Sequence, residues 1–222
     1  MSYEIDSKTY DKLYAKYLRG DRTKEMVDLA GSLKGKRVLD LCCGGCRLSR
    51  EVLKRGPKRV CAVDESLTMI GPILPYRIPS DEPINKFCMT VDQALSDLTN
   101  TFNAIFCQQG INYWFTPEHA EKIKRALAPK GVFIFNTFHK KPSVIPLTKV
   151  YYYEKPGRNY IEISWLVKDM VKHVQIAEGM DPHFTEFRWI PPEEFTEAFS
   201  KEGFKITLKS DGVTDIYICR KI

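Results

Sequence analysis

From residue 37 onward the chain alternates short apolar runs with longer stretches whose apolar positions recur at helical spacing. The apolar runs predict strands at 37–41, 59–63, 86–90, 102–107 and 131–137. The stretches between them predict helices near 47–55, 66–74, 92–98 and 117–127. Strand–helix alternation of this kind implies a mostly parallel sheet, because every crossover helix must cover one of its faces. Ala128-Pro-Lys-Gly131 reads as the turn into the fifth strand. Ahead of this region Tyr10, Leu13, Tyr14, Tyr17 and Leu18 form an i, i+3, i+4, i+7 stripe, which predicts an amphipathic helix over 7–19. Arg19-Gly20-Asp21 breaks it, and a second helix is expected from about 23 to 33.

The period changes at His139. Residues 149–154, 159–168, 171–178 and 183–190 alternate apolar and polar positions, with turn signals at Pro156-Gly157 and Glu178–Pro182. That is the pattern of three or four antiparallel strands inserted after the fifth core strand. Pro191-Pro-Glu-Glu194 then opens a helix to about Lys201, and 204–209 with 215–220 reads as a closing hairpin. The expected fold class is therefore α/β: a doubly wound, mostly parallel seven-stranded sheet with helices on both faces, plus the small antiparallel insertion. One domain over 1–222 is expected, with an N-terminal helical lid at 1–36, a cofactor-binding core at 37–138, the insertion at 139–190 and a closing helix and hairpin at 191–222.

Composition narrows the class further. A chain of 222 residues with 43% hydrophobic and 28% charged residues is ordinary for a water-soluble globular protein. It has no apolar run of membrane-spanning length, and Met1-Ser-Tyr-Glu-Ile-Asp lacks the layout of a secretory signal, so the expected setting is cytoplasmic. The net charge of +6 comes from scattered Lys and Arg, which reads as a solvated surface rather than a nucleic-acid interface. Of the seven cysteines, Cys61, Cys88, Cys107 and Cys219 fall inside apolar runs and read as buried thiols. Cys42, Cys43 and Cys46 are a weak zinc candidate, since two are adjacent and no second ligand pair follows at the right spacing; no metal is expected.

The chemistry concentrates at the strand ends. Val38-Leu-Asp-Leu-Cys-Cys-Gly-Gly-Cys-Arg-Leu-Ser49 joins the first strand to a helix through a glycine turn, and Val60-Cys-Ala-Val-Asp64 ends the second strand on a carboxylate. A glycine turn lets the backbone approach a ligand, and an acidic residue one strand later receives ribose hydroxyls, so the pair points to an adenosine-bearing cofactor. Asp40, Cys42, Cys43 and Gly44 are placed for its far end, and Asp64, with Glu65 beside it, for the ribose. Asp92, with Val91, Gln93 and Met69, is placed for the adenine, and Gln108 closes the fourth strand. A nicotinamide cofactor is disfavoured because Gly44-Gly-Cys46-Arg47 lacks the third glycine of the dinucleotide fingerprint.

These motifs resemble those of the class I, Rossmann-like methyltransferases that use S-adenosylmethionine (SAM), and the likeness runs along nearly the whole chain. Asp40-x-Cys-x-Gly44-x-Cys46 is similar to the family's acidic-x-Gly-x-Gly-x-Gly turn, with Cys in the first and third glycine positions. Cys46 is the departure, and right-handed helical geometry there would accommodate its Cβ. Tyr10-Asp-x-x-Tyr14 followed by Arg19-Gly20 looks like the N-terminal segment of the small-molecule N-methyltransferases that act on amino sugars and glycine-like amines. That resemblance implies that Tyr14 lies near the reacting methyl group and that Arg19 reaches the cofactor carboxylate.

On the acceptor side, Gln109, Asn112, Tyr113, Trp114 and Asn136 come from the fourth and fifth strand ends, and His139 is placed to act as a base or to orient an amine. Gln108-Gln-Gly-Ile-Asn-Tyr-Trp114 has no Pro-Pro-aromatic signature of nucleobase amino-methylation. The expectation is SAM-dependent methylation of a small molecule, first an amine of a sugar or amino-acid-like metabolite. The alternatives are O-methylation of a small natural product, a non-catalytic SAM-binding protein, or an RNA or protein methyltransferase. A monomer and a homodimer are both compatible with the chain, and no membrane partner is expected.

Overall fold

The computed structural model describes residues 22–70, 83–96, 98–139, 141, 147–151, 160–177, 182–212 and 214–222. The helix expected over 7–19, with Tyr14 and Arg19, lies outside the described residues, as do the second half of the helix expected over 66–74 and the turns at 156–157 and 178–181.

The first described helix, α1, spans Arg22–Leu29. Then follow β1 (Arg37–Leu41), α2 (Arg47–Leu53), β2 (Arg59–Asp64), α3 (Leu67–Ile70), β3 (Ile84–Cys88), α4 (Val91–Leu95), β4 (Phe102–Cys107), α5 (Ile111–Trp114), α6 (His119–Ala126) and β5 (Leu127–Phe138). The insertion supplies β6 (Leu147–Tyr151), β7 (Tyr160–Val167), β8 (Met170–Ala177) and β9 (His183–Arg188). The chain closes with α7 (Pro192–Lys201), β10 (Phe204–Ser210) and β11 (Thr214–Lys221).

Seven strands form one sheet in the order β10-β11-β5-β4-β1-β2-β3, parallel from β5 to β3 and antiparallel at β11 and β10. The order reverses between β1 and β4, which is the place where open α/β sheets form a ligand crevice. Side chains alternate between faces. Leu39, Leu41, Ile105, Cys107, Phe133, Phe135 and Tyr217 pack on one side with Leu95, Ile123, Phe195 and Phe199. Val38, Val60, Ala62, Phe106 and Ile134 pack on the other with Met26, Leu48, Val52 and Ile70. Both faces are thus covered by helices, as the alternating pattern requires. A second sheet, β6-β7-β8-β9, is an antiparallel meander with its own small core of Leu166, Val171, Phe187 and Trp189.

Several boundaries differ from the sequence reading. Helix α1 stops four residues earlier, where the Gly31 N–H donates to Asp28 O and Leu33 turns inward. Strand β3 begins two residues earlier because its register with β2 sets Ile84 against Val60, and Thr90 then leaves the strand to cap α4. The expected turn Ala128–Gly131 lies within the span of β5: pairing jumps from Phe102↔Leu127 to Ala104↔Val132, so the intervening residues loop out, with Lys130 at φ 60°. Cys88 is exposed rather than buried, whereas Cys61, Cys107 and Cys219 are buried. Among the described residues no helix is long and apolar enough to cross a membrane.

Candidate cofactor and acceptor site

The loop after β1 is held in an unusual conformation. Cys42 (φ 53°), Gly44 (φ 49°) and Cys46 (φ 61°) all adopt left-handed geometry. Cys46 is therefore left-handed, not in the right-handed geometry that would accommodate its Cβ, at a cost of about 1–2 kcal/mol. The loop is fastened from β2: Cys43 N–H donates to Val63 O (2.9 Å) and Gly44 N–H donates to Asp64 Oδ2 (2.8 Å). Asp64 Oδ1 accepts from Ser66 N–H at 3.0 Å. Each carboxylate oxygen keeps a further lone pair, so Asp64 still has acceptor capacity for a diol. Burial pushes its pKa above the ordinary carboxylate value, against the pull of the Ser66 and Gly44 N–H groups. A Cβ on Gly44 would meet Met69 Cε at 3.0 Å, so the glycine and the thioether form one tight wall of the crevice. Glu65 beside it is exposed.

Asp40 faces the other way. Its Oδ2 accepts from Ser49 N–H (3.0 Å) and Ser49 Oγ–H (2.6 Å), which ties β1 to the first turn of α2. Burial raises its pKa to about 7 from 3.8, with the Ser49 hydrogen bonds opposing. A carboxyl raised on folding holds its proton more tightly in the native state, so stability should rise as pH falls from about 7 towards 4. The slope is at most about 1.4 kcal/mol per pH unit. Asp40→Asn, which keeps an acceptor for Ser49, should flatten that dependence; urea unfolding of both proteins across this range checks it.

At the β3–α4 junction the structure differs from the sequence reading. The Asp92 carboxylate is turned towards α6, where Oδ1 meets Lys122 Nζ at 2.5 Å and His119 Nε2 at 3.1 Å. The Lys122 ammonium holds its pKa below the usual range. Gln93 is engaged in a capping box with Thr90, accepting from Thr90 N–H at 2.9 Å. Val91 is buried in the core that lies under this edge of the crevice. Trp114 stands edge-on to His119 with centroids 4.9 Å apart, and its indole N–H is a buried donor without a partner among the described residues.

The β4 end is braced by side chains that the sequence reading assigned to an acceptor. Asn136 Oδ1 accepts from Gln109 N–H (2.7 Å), and Gln109 itself sits at φ 59°. Asn112 accepts from Thr137 Oγ–H (2.7 Å) and donates to Arg188 O (3.0 Å), joining α5, β5 and β9. Both amides are buried and committed. Gln108 exchanges hydrogen bonds with Thr23 Oγ1 (3.0 and 3.1 Å), which docks α1 on the end of β4. Arg22 pairs with Asp211 and Glu25 with Lys209, so the N-terminal end of α1 also reaches the β10–β11 turn. The sequence reading missed Gly110: a Cβ there would lie 2.4 Å from Cys42 Cβ and 3.2 Å from Cys107 Sγ, so the β1 and β4 loops touch at this point. A glycine three residues past an apolar run was the available signal.

Beyond the strand tips the insertion contributes a wall. Phe138 stacks on Phe187 (5.3 Å, 11°), and Tyr113 tilts against Phe187 at 5.6 Å. Tyr113 keeps about half its surface open, while burial of its phenol end pushes the pKa up to about 12. Just past the end of β5, His139 Nδ1 lies 2.9 Å from Asp215 Oδ1 and 3.1 Å from Ser210 Oγ. Asp215 is buried opposite Thr137 in the β5–β11 ladder. With Nδ1–H donating to that carboxylate, Nε2 is left as a lone-pair acceptor, without a partner among the described residues. Asp215, 76 residues from His139, carries no local sequence signal. His183 is buried in β9.

A junction of a left-handed glycine loop and a carboxylate at the strand-order reversal is also where known proteins align. Residues 38–131 match the family model described as a methyltransferase domain. A ubiquinone biosynthesis O-methyltransferase of Chromobacterium violaceum is 25% identical over 111 residues, 50% of this chain and 47% of that protein. The chain thus spans about half the length of that curated relative. Among solved structures, a SAM-dependent methyltransferase of Clostridium acetobutylicum superimposes with a TM-score of 0.72 at 18% identity, over 96% of both chains. An amino pentose methyltransferase of Micromonospora echinaspora, solved with SAM bound, gives 0.72 at 16% identity over 100% of both. These share the fold. The part of the methyltransferase domain that the family model matches ends at residue 131, so the insertion, His139 and Asp215 lie beyond it.

Proposed function

We propose that the chain transfers the methyl group of SAM to a small-molecule acceptor. The observation that carries this reading is the junction of Gly44, Asp64 and Met69 at the reversal of strand order. It fits an adenosyl group: a backbone free of Cβ for close approach, a carboxylate with unused lone pairs for a ribose diol, and Met69 with Val91 for a purine face. Bound there, SAM would supply an electrophilic methyl on sulfur. The protein's part is to align a nucleophile behind that methyl and keep water away, since in-line displacement gains mainly from orientation. Tyr14 and Arg19 keep their expected roles as parts of this proposal.

The acceptor reading follows from His139. An imidazole fixed through Nδ1 by a buried carboxylate presents Nε2 as a proton acceptor, which a hydroxyl nucleophile needs and a neutral amine does not. The Phe138–Phe187 stack with Tyr113 offers a flat apolar surface for such an acceptor. We therefore place O-methylation of a hydroxylated small molecule first, a revision of the amine expected from the N-terminal resemblance. The name of the curated relative agrees with it. The amine reading keeps the support of the Tyr10–Arg19 motif and of the amino pentose methyltransferase that shares the fold.

Incubation with methyl-labelled SAM and a metabolite extract tests the general reading: label should enter small molecules, and label in protein or RNA would overturn it. Once an acceptor is found, His139→Gln should slow turnover by about 10²–10⁴-fold if a hydroxyl reacts. Asp215→Asn should slow it by about 10-fold or more, by freeing the imidazole to the wrong tautomer. Unchanged rates in both variants would return the acceptor to the amine class.

A further inference from the structure

The loop that cradles the proposed cofactor carries a pair of thiols that methyl transfer does not use. Cys43 and Cys46 are separated by Gly44-Gly45, and their sulfurs lie 3.7 Å apart. The backbone has already closed the turn that brings them together, with Cys46 N–H donating to Cys43 O at 2.8 Å. Cys46 also stores the strain of a left-handed cysteine. Cys43 reaches the surface slightly, at 9% exposure, beside the half-buried Gly45, while Cys46 is fully buried, so a small molecule meets the pair at Cys43. The two thiols are hydrogen-bonded to one another, Cys46 Sγ–H donating to Cys43 Sγ.

We propose that Cys43 and Cys46 form a redox-active dithiol, closed to a disulfide by a hydroperoxide, that reshapes the cofactor loop. Cys43, the thiol that reaches the surface, attacks one oxygen of the hydroperoxide as its thiolate. This forms a sulfenic acid on Cys43 and releases the other oxygen as an alcohol or, from hydrogen peroxide, as water, taking up the proton the thiol gave. The Cys46 thiol then attacks the Cys43 sulfur; the S–S bond forms and the sulfenic oxygen leaves as water with the thiol proton. Two thiols have lost two electrons, which the peroxide has gained.

Closing the bond draws the sulfurs from 3.7 Å to about 2.05 Å. That contraction pulls on a loop whose Cys43 and Gly44 N–H groups make the hydrogen bonds to Val63 O and Asp64 that fasten it to β2. The oxidised loop should therefore bind adenosyl ligands about tenfold more weakly, equivalent to one lost charge-assisted hydrogen bond. The thiol chemistry itself does not depend on the proposed methyl transfer. Its effect on ligand affinity rests on that reading.

The test treats the full chain with hydrogen peroxide, alkylates the denatured product with N-ethylmaleimide and maps the tryptic peptide 38–47, which holds Cys42, Cys43 and Cys46. The expected product has one alkyl group, on Cys42, has lost two hydrogens, and reverts with dithiothreitol. Three alkylated cysteines, or a Cys42–Cys107 link instead, overturns the proposal. Calorimetry with S-adenosylhomocysteine on the reduced and oxidised protein reads the second step, and equal affinity overturns the control of the loop. Cys43→Ser and Cys46→Ser should each lose the link, and binding in both should become insensitive to peroxide. Failure of the reduced protein to bind S-adenosylhomocysteine would count against the proposed function while leaving the mapped disulfide standing.

Discussion

Gly110→Ala should destabilise the protein by about 3 kcal/mol, the upper end of ordinary overpacking. The added Cβ would sit 2.4 Å from Cys42 Cβ and 2.8 Å from its Sγ, with Cys107 Sγ at 3.2 Å. None of these atoms is the free end of a long side chain; each is one or two bonds from a strand-end backbone that is itself paired. Gly110 has φ −111° and ψ −15°, a conformation open to any residue, so the requirement is space and not backbone freedom. Relief would have to come from parting the β1 and β4 loops. Urea unfolding measures the loss. A change below about 1 kcal/mol would mean that the two loops do not meet at this glycine.

Asp64→Ala should weaken binding of SAM or S-adenosylhomocysteine by about 2–3 kcal/mol, since two charge-assisted hydrogen bonds to the ribose would be lost. The same change removes the acceptor that pins Gly44 N–H, so the loop loosens as the ligand contact disappears. Stability should fall less than affinity, because burial already works against the charged Asp64 in the folded state. Asp64→Asn separates the two effects: an amide can still accept from Gly44 but presents one acceptor oxygen instead of two. Titration calorimetry with a parallel thermal melt reads both quantities. Unaltered affinity in Asp64→Ala would remove this residue from the site.

The parallel core was legible because its signal is local. Runs such as Val38-Leu-Asp-Leu41 and Phe102–Cys107 are apolar on both faces, and strands buried on both faces need that composition wherever they lie. Their bounds agree with the structure, as does the hairpin of β10 and β11 to within a residue. The glycine turn and Asp64 were legible for a similar reason, since a strand end and the loop leaving it are neighbours in sequence. Asp92 shows the limit. Its place at the start of α4 was readable, but its carboxylate answers to Lys122 and His119, 30 and 27 residues away.

Polar side chains are where reading along the chain reached least far, and the cause is common to Asp40, Asn112 and Asn136. A buried polar atom must find a partner, and the partner is whichever group three-dimensional packing brings near. For these three it was Ser49, then Thr137 with Arg188, then the Gln109 backbone. The same rule created what no local pattern announced: Asp215 behind His139, Gly110 against Cys42, and two thiols 3.7 Å apart across a strained turn. The order of residues specified the layered α/β architecture, its insertion and the glycine loop after the first strand, because hydrophobic period and glycine placement act over a few neighbours. Which carboxylates keep unused oxygens, which amides are already engaged and which carboxylate meets His139 emerged from contacts across the folded chain, because hydrogen bonding depends on distances that folding alone creates.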